Sequence, residues 1–133
     1  MFKDQEATRV LIVDDERTIA DTLTAILNMN GFQARAVYSG LQAVEAAGAL
    51  NPQFLIVDVI MNGMNGVDAA VCVCEGSPDC RVILFSGQPV PAELIERAHA
   101  NGRSFEMLMK PLSPQAIIDH LNGGAKAVQT APH

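Results

Sequence analysis

Val10-Leu11-Ile12-Val13-Asp14-Asp15-Glu16 sets four apolar residues directly against three acids, and the fold is read outward from this junction. Four β-branched or leucine residues without alternation describe a short strand buried on both faces, as in a parallel sheet covered by helices. The pattern returns in Phe54-Leu55-Ile56-Val57 before Asp58, and in Val82-Ile83-Leu84-Phe85 before Ser86. Apolar runs of strand length alternate five times with amphipathic stretches at helical spacing, which is the signature of an α/β fold. Strands are expected at 9–13, 33–37, 54–58, 81–86 and 104–109, with the first, third and fourth central in the sheet.

The intervening helices carry their own start and stop signals. Ile19, Leu23, Ile26 and Leu27 form one apolar stripe, and Gly31 follows where a helix end favours left-handed backbone. Ser39 with Gln42 three residues on reads as a capping box, with Val44 and Ala47 facing inward. The third helix is expected to start near Asn65 and its outgoing connection to end at Ser77-Pro78. Pro91 suits the first turn of the fourth helix, whose Leu94, Ile95 and Ala98 read as core. Ser113-Pro114 is a cap followed by proline at the first helical position.

At 133 residues the chain has the size of one domain, and with 49% apolar residues it can bury a core. Residues 1–8 are expected to be an N-terminal extension, 9–122 the domain and 123–133 a flexible tail. No apolar run approaches the roughly 20 residues of a membrane span, and Met1–Glu6 lacks the apolar stretch of a secretory signal, so a soluble cytoplasmic protein is expected. A net charge of −6 argues against a nucleic-acid partner, because such binders concentrate Lys and Arg. Cys72, Cys74 and Cys80 have no His or fourth Cys at zinc spacing and read as small, reduced core residues. His99, His120 and His133 have no ligand-spaced neighbour in the sequence and read as surface residues.

Four polar features each follow an apolar strand: Asp14-Asp15, Asp58, Ser86 and Lys110. In a parallel sheet the C-terminal ends of the strands share one edge, so residues dozens of positions apart converge there. Each feature has a plainer reading alone: Asp14 and Asp15 as helix-capping acids, Lys110 as a surface lysine, Ser86 as a turn residue. Together they would have to coincide four times. Three carboxylates in one place repel, each pair by about 4 kcal/mol at 4 Å and an effective dielectric near 20. A hard divalent cation answers that repulsion, and Mg²⁺ suits one or two carboxylates with the remaining positions left to water and phosphate. Phosphoryl transfer asks for an in-line nucleophile and neutralised equatorial oxygens. Asp58 can be the nucleophile, Lys110 a point charge for one phosphate oxygen and Ser86 a hydroxyl donor to another, with Gly87 leaving space beside it.

These pieces, together with Ile60-Met61, Gly66 and Lys110-Pro111, resemble the receiver domain of two-component response regulators from Arg9 to Leu121. The resemblance implies a doubly wound, flavodoxin-like five-stranded parallel sheet in the order 2-1-3-4-5, whose crevice lies between strands one and three, where the acids are. It implies Asp58 as phosphoacceptor, Asp15 and Asp58 as direct ligands of Mg²⁺, Asp14 acting through water, and the Ile60 carbonyl as a further ligand. Ser86, Gly87 and Lys110 would hold the phosphoryl group. The donor would be a phosphohistidine on a histidine kinase or histidine phosphotransfer protein, the receiver would catalyse only its own modification, and a downstream protein target would read the result. Two positions depart from the family pattern. Met107 stands three residues before Lys110, where most receivers carry the aromatic that moves with Ser86, and a weaker or differently shaped switch is expected. Asn62 stands where proline is common.

Two rivals fall behind. A haloacid-dehalogenase-like phosphatase needs a second acid two residues after the nucleophile, and that position is Ile60, which cannot move a proton. A flavin or nucleotide binder needs a phosphate loop that the sequence lacks. Within the receiver reading, a stand-alone switch, a phosphorelay intermediate, a phosphate sink and a fragment of a longer regulator all stay open; the starting Met favours the stand-alone form.

Overall fold

Strand and helix alternate without exception across the described part of the chain. The computed structural model describes residues 7–100, 105–110 and 113–123. Its strands β1 (Arg9–Val13), β2 (Gln33–Val37), β3 (Phe54–Asp58), β4 (Arg81–Ser86) and β5 (Glu106–Met109) form one parallel sheet in the order β2-β1-β3-β4-β5. The connecting helices are α1 (Arg17–Met29), α2 (Gly40–Leu50), α3 (Gly66–Gly76) and α4 (Ala92–Ala100), and α5 (Pro114–Leu121) follows β5.

Successive strand residues point to opposite faces, and both faces are covered, which is why the central strands are apolar throughout. On one face Leu11, Val13, Leu55, Val57, Val82 and Leu84 pack with Ala43 and Ala47 of α2, Val67, Ala70 and Val73 of α3, and Leu94 and Ala98 of α4. On the other, Val10, Ile12, Phe54, Ile56, Ile83 and Phe85 meet Ala20, Leu23 and Leu27 of α1 and Ile117, Ile118 and Leu121 of α5. Each such leucine or isoleucine, fully buried, stabilises the fold by about 1.5–3 kcal/mol. The edge strand β2 alternates exposed and covered residues, as one-sided protection requires.

The helix punctuation works largely as read. Ser39, Asn65 and Ser113 each accept a hydrogen bond from the backbone N–H three residues on, and Pro114 occupies the first turn of α5. Gly31 lies at φ +92, beyond the end of α1. The box at Ser39 closes differently: the Gln42 side chain accepts from Tyr38 N–H rather than from Ser39, one residue outside the cap. Other expectations need correction. The fifth strand starts at Glu106, and Phe105 precedes it, packed against the core; residue 104 lies outside the described residues. Ile95 is exposed, because it sits about 100° around the helix from the Leu94–Ala98 stripe that meets the sheet. His120 is mostly covered, its Nδ1 3.4 Å from Glu106 Oε1, a neighbour supplied by β5 rather than by sequence spacing. His99 is exposed and His133 lies outside the described residues. Cys74 and Cys80 are buried, with their thiols donating to the backbone carbonyls of Cys80 and Arg81, and Cys72 is half-buried.

Candidate functional site

The first and third strands end on acids at the same edge of the sheet. Asp14 continues β1 by one residue: its N–H donates to Val37 O at 3.3 Å and its side chain is fully buried. Its Oδ1 accepts from Glu16 N–H at 2.9 Å, in a turn that aims the other oxygen, Oδ2, at Lys110 Nζ, 3.1 Å away. Asp58 closes β3, only 5% exposed, with Oδ1 accepting from Ile60 N–H at 3.2 Å and Oδ2 from Lys110 Nζ at 3.1 Å. Asp15 turns to the neighbouring loop, where its Oδ2 accepts from Asn62 N–H at 3.2 Å. One carboxylate oxygen from each of Asp14, Asp15 and Asp58 lies within 4.8 Å of the others.

Lys110 reaches this cluster because the β4–β5 pairing runs past the strand end, with Lys110 N–H donating to Ser86 O at 2.9 Å. The Lys110 ammonium lies over the Phe85 ring, Nζ 5.0 Å from its centroid, and a methyl group on Gly87 would stand 3.4 Å from the lysine stem. A third carboxylate, Glu16, approaches the ammonium at 3.4 Å from the solvent side.

Burial pushes the Asp58 carboxyl up to about 6, the Asp14 charge adds to that, and the hydrogen bond from Lys110 pulls the other way. Burial alone would lower the Lys110 ammonium, but its hydrogen bonds to Asp14 and Asp58 outweigh that and its pKa is raised. One ammonium thus holds two buried carboxylates without neutralising them. The donor set suits a hard divalent cation: three oxygen-bearing acids converge, one of them reaching solvent, with a single positive charge between them.

The loop after Asp58 is pinned by glycine. Gly66 N–H donates to Val59 O at 2.9 Å, and a Cβ at Gly66 would stand 2.1 Å from the Asp58 carbonyl oxygen. Only glycine lets α3 begin this close to the end of β3. Ser86 is fully buried, and its hydroxyl donates to Gln88 O at 2.6 Å, within its own turn, rather than to the acid cluster. Met107 lies opposite Leu84 in the β4–β5 pairing and is 39% exposed. The structure therefore brings Asp14, Asp15, Asp58 and Lys110 together, sets Gly87 beside them, and leaves the Ser86 hydroxyl engaged elsewhere. Sequence reasoning missed the contact of Glu16 with Lys110 and the tie from Asn62 N–H to Asp15; both depend on how two loops face each other, which no local pattern encodes.

The response regulator receiver domain model matches residues 10–122, and the chain belongs to this family. It is 32% identical over 119 residues to the chemotaxis protein CheY of Thermotoga maritima, covering 89% of this chain and 98% of that one. It is 27% identical over 111 residues to the DNA-binding response regulator MtrA of Mycobacterium tuberculosis, 83% of this chain but only 47% of that protein. Among solved structures, a CheY-like receiver domain protein from Methanospirillum hungatei superposes with a TM-score of 0.80 at 18% identity, over 95% of this chain and 99% of that one. The protein is a CheY-like receiver domain of two-component response regulators, a phospho-switch family rather than one of conventional enzymes. Among the described residues no helix is long and apolar enough to cross a membrane.

Proposed function

We propose that this receiver acts in the cytoplasm and takes a phosphoryl group on Asp58 from a phosphohistidine of a histidine kinase or histidine phosphotransfer protein, and that the modification switches its binding to a protein target. One observation carries this reading: the buried Asp58 carboxylate shares Lys110 with Asp14 and stands within 4.8 Å of Asp14 and Asp15 at the sheet edge. Asp58 Oδ would attack phosphorus as the P–N bond to the donor imidazole breaks, and the imidazole nitrogen keeps the electron pair. Asp14, Asp15, Asp58 and the Ile60 carbonyl would hold Mg²⁺, which when bound supplies positive charge against the repulsion between Asp58 and the incoming group. Lys110 moves from the carboxylates to a phosphoryl oxygen. Ser86 exchanges its bond to Gln88 O for another phosphoryl oxygen, over Gly87, which breaks the turn at 86–88 and passes the change to the surface where Met107 is exposed.

Residues 9–122 form the working unit in this reading. Near-complete coverage of the Thermotoga CheY supports a stand-alone switch, whereas the half-length match to MtrA favours a receiver segment of a longer regulator as the second reading. The test is intact-mass measurement after incubation with acetyl phosphate, with Mg²⁺ or with EDTA. Wild type should gain one phosphoryl group only with Mg²⁺, and Asp58→Asn none; equal uptake by both proteins would overturn the assignment.

A further inference from the structure

Glu16 is the residue at this site whose side chain has no evident structural duty. It occupies the N-cap of α1, yet its carboxylate makes no capping hydrogen bond. Its backbone N–H serves Asp14 Oδ1 instead, and its side chain, 64% exposed, reaches over the mouth of the cluster to within 3.4 Å of Lys110 Nζ. The ammonium has three carboxylate partners, of which Asp14 and Asp58 are buried at 3.1 Å and Glu16 alone stands toward solvent.

We propose that Glu16 is a positioning residue that competes with the phosphoryl group for Lys110. The proposal rests on the reading of Asp58 as phosphoacceptor. A phosphoryl oxygen on Asp58 is a charged acceptor of the kind that Glu16 Oε1 already offers, and one ammonium at 3.4 Å from Glu16 has to turn from it to meet the new partner fully. Charge works in the same direction. Asp14, Asp15, Glu16 and Asp58 against Lys110 sum to −3, so a bound divalent cation leaves −1 facing an anionic ligand, and neutralising Glu16 leaves zero. Glu16 thereby weakens capture of small free anions, and a docked protein donor overcomes this through the rest of its interface.

The contact is partly exposed, and exposed ion pairs of this sort change equilibria by factors of a few. The experiment measures the affinity of beryllofluoride, a phosphoryl stand-in, in the presence of Mg²⁺ for wild type, Glu16→Gln, Lys110→Ala and the double variant. Glu16→Gln should bind about fivefold more tightly than wild type, and the gain should shrink to about twofold or less in the Lys110→Ala background, where only the change in net charge is left, as coupling between two residues requires. With acetyl phosphate, Glu16→Gln should lower the donor concentration for half-maximal rate and leave the maximal rate within about twofold. Unchanged or weaker beryllofluoride binding by Glu16→Gln overturns the proposal, as does a gain of equal size without Lys110. Wild type is also tested by intact mass: if it gains no phosphoryl group, the reading of Asp58 fails first, and if it gains one while Glu16→Gln matches it throughout, only the role of Glu16 falls.

Discussion

Replacing Asp58 by Asn should stabilise the metal-free protein, although it removes the proposed phosphoacceptor. Asp58 is nearly inaccessible, and its carboxyl is raised from the usual 3.8 to about 6, chiefly by burial and then by Asp14, against the pull of Lys110. Between these two values the native state holds a proton that the unfolded chain has lost, so this group's contribution to stability is greatest below about pH 4 and declines as pH rises to 6. A difference of about 2 in pKa corresponds to about 3 kcal/mol of destabilisation above pH 6. Asn keeps the size and an acceptor oxygen for Lys110, and the raised value already contains the Lys110 bond. The net expectation is a gain of up to about 3 kcal/mol at pH 8 in EDTA, near 4 °C in Tm per kcal/mol for a domain of this size. The assay is urea or thermal unfolding of both proteins from pH 4 to 8. The gain should fade as pH drops through 6 toward 4. Adding Mg²⁺ should close the gap at pH 8, since a ligand at 100 times its Kd stabilises wild type by about 2.7 kcal/mol and the variant lacks a carboxylate proposed to hold the ion. A variant no more stable than wild type at pH 8, or a gain that does not change with pH, would refute the reasoning.

Other substitutions probe separate links. Gly66→Ala puts a methyl 2.1 Å from the Asp58 carbonyl oxygen, so the loop must shift; the expected loss is at least about 1–3 kcal/mol by denaturation, together with slower phosphoryl uptake. Ser39→Ala removes the cap on Gln42 N–H and should cost about 1 kcal/mol without altering the rate of uptake from acetyl phosphate. Lys110→Ala removes the one ammonium between Asp14 and Asp58 and should slow uptake on the order of 10²-fold at saturating Mg²⁺, measured by intact mass against time.

The architecture was legible wherever a buried apolar run ends abruptly in a polar residue. Val13-Asp14, Val57-Asp58 and Phe85-Ser86 mark strand ends to the residue, because a charge or hydroxyl cannot continue a doubly covered strand without a partner. β5 was less legible. It is an edge strand whose Glu106, Met107, Leu108 and Met109 alternate between half-covered and exposed, so only one face constrains the sequence and its start was misplaced. Ile95 shows the same limit at helix scale: adjacent apolar residues cannot both face the sheet, and composition does not say which one does.

At the site, convergence of Asp14, Asp15, Asp58 and Lys110 followed from parallel topology alone. Side-chain direction did not. The Ser86 hydroxyl settles on Gln88 O within its own turn and Glu16 reaches Lys110 from another loop, and both are choices among staggered rotamers that the strand pattern does not decide.

Locating the added phosphoryl group tests the account's core most directly. After reaction with acetyl phosphate and Mg²⁺, borohydride reduction of the acyl phosphate followed by peptide mass spectrometry marks the carboxylate that carried it. The mark is predicted on Asp58 alone; a mark on Asp14, Asp15 or Glu16, with Asp58 untouched, would contradict the account.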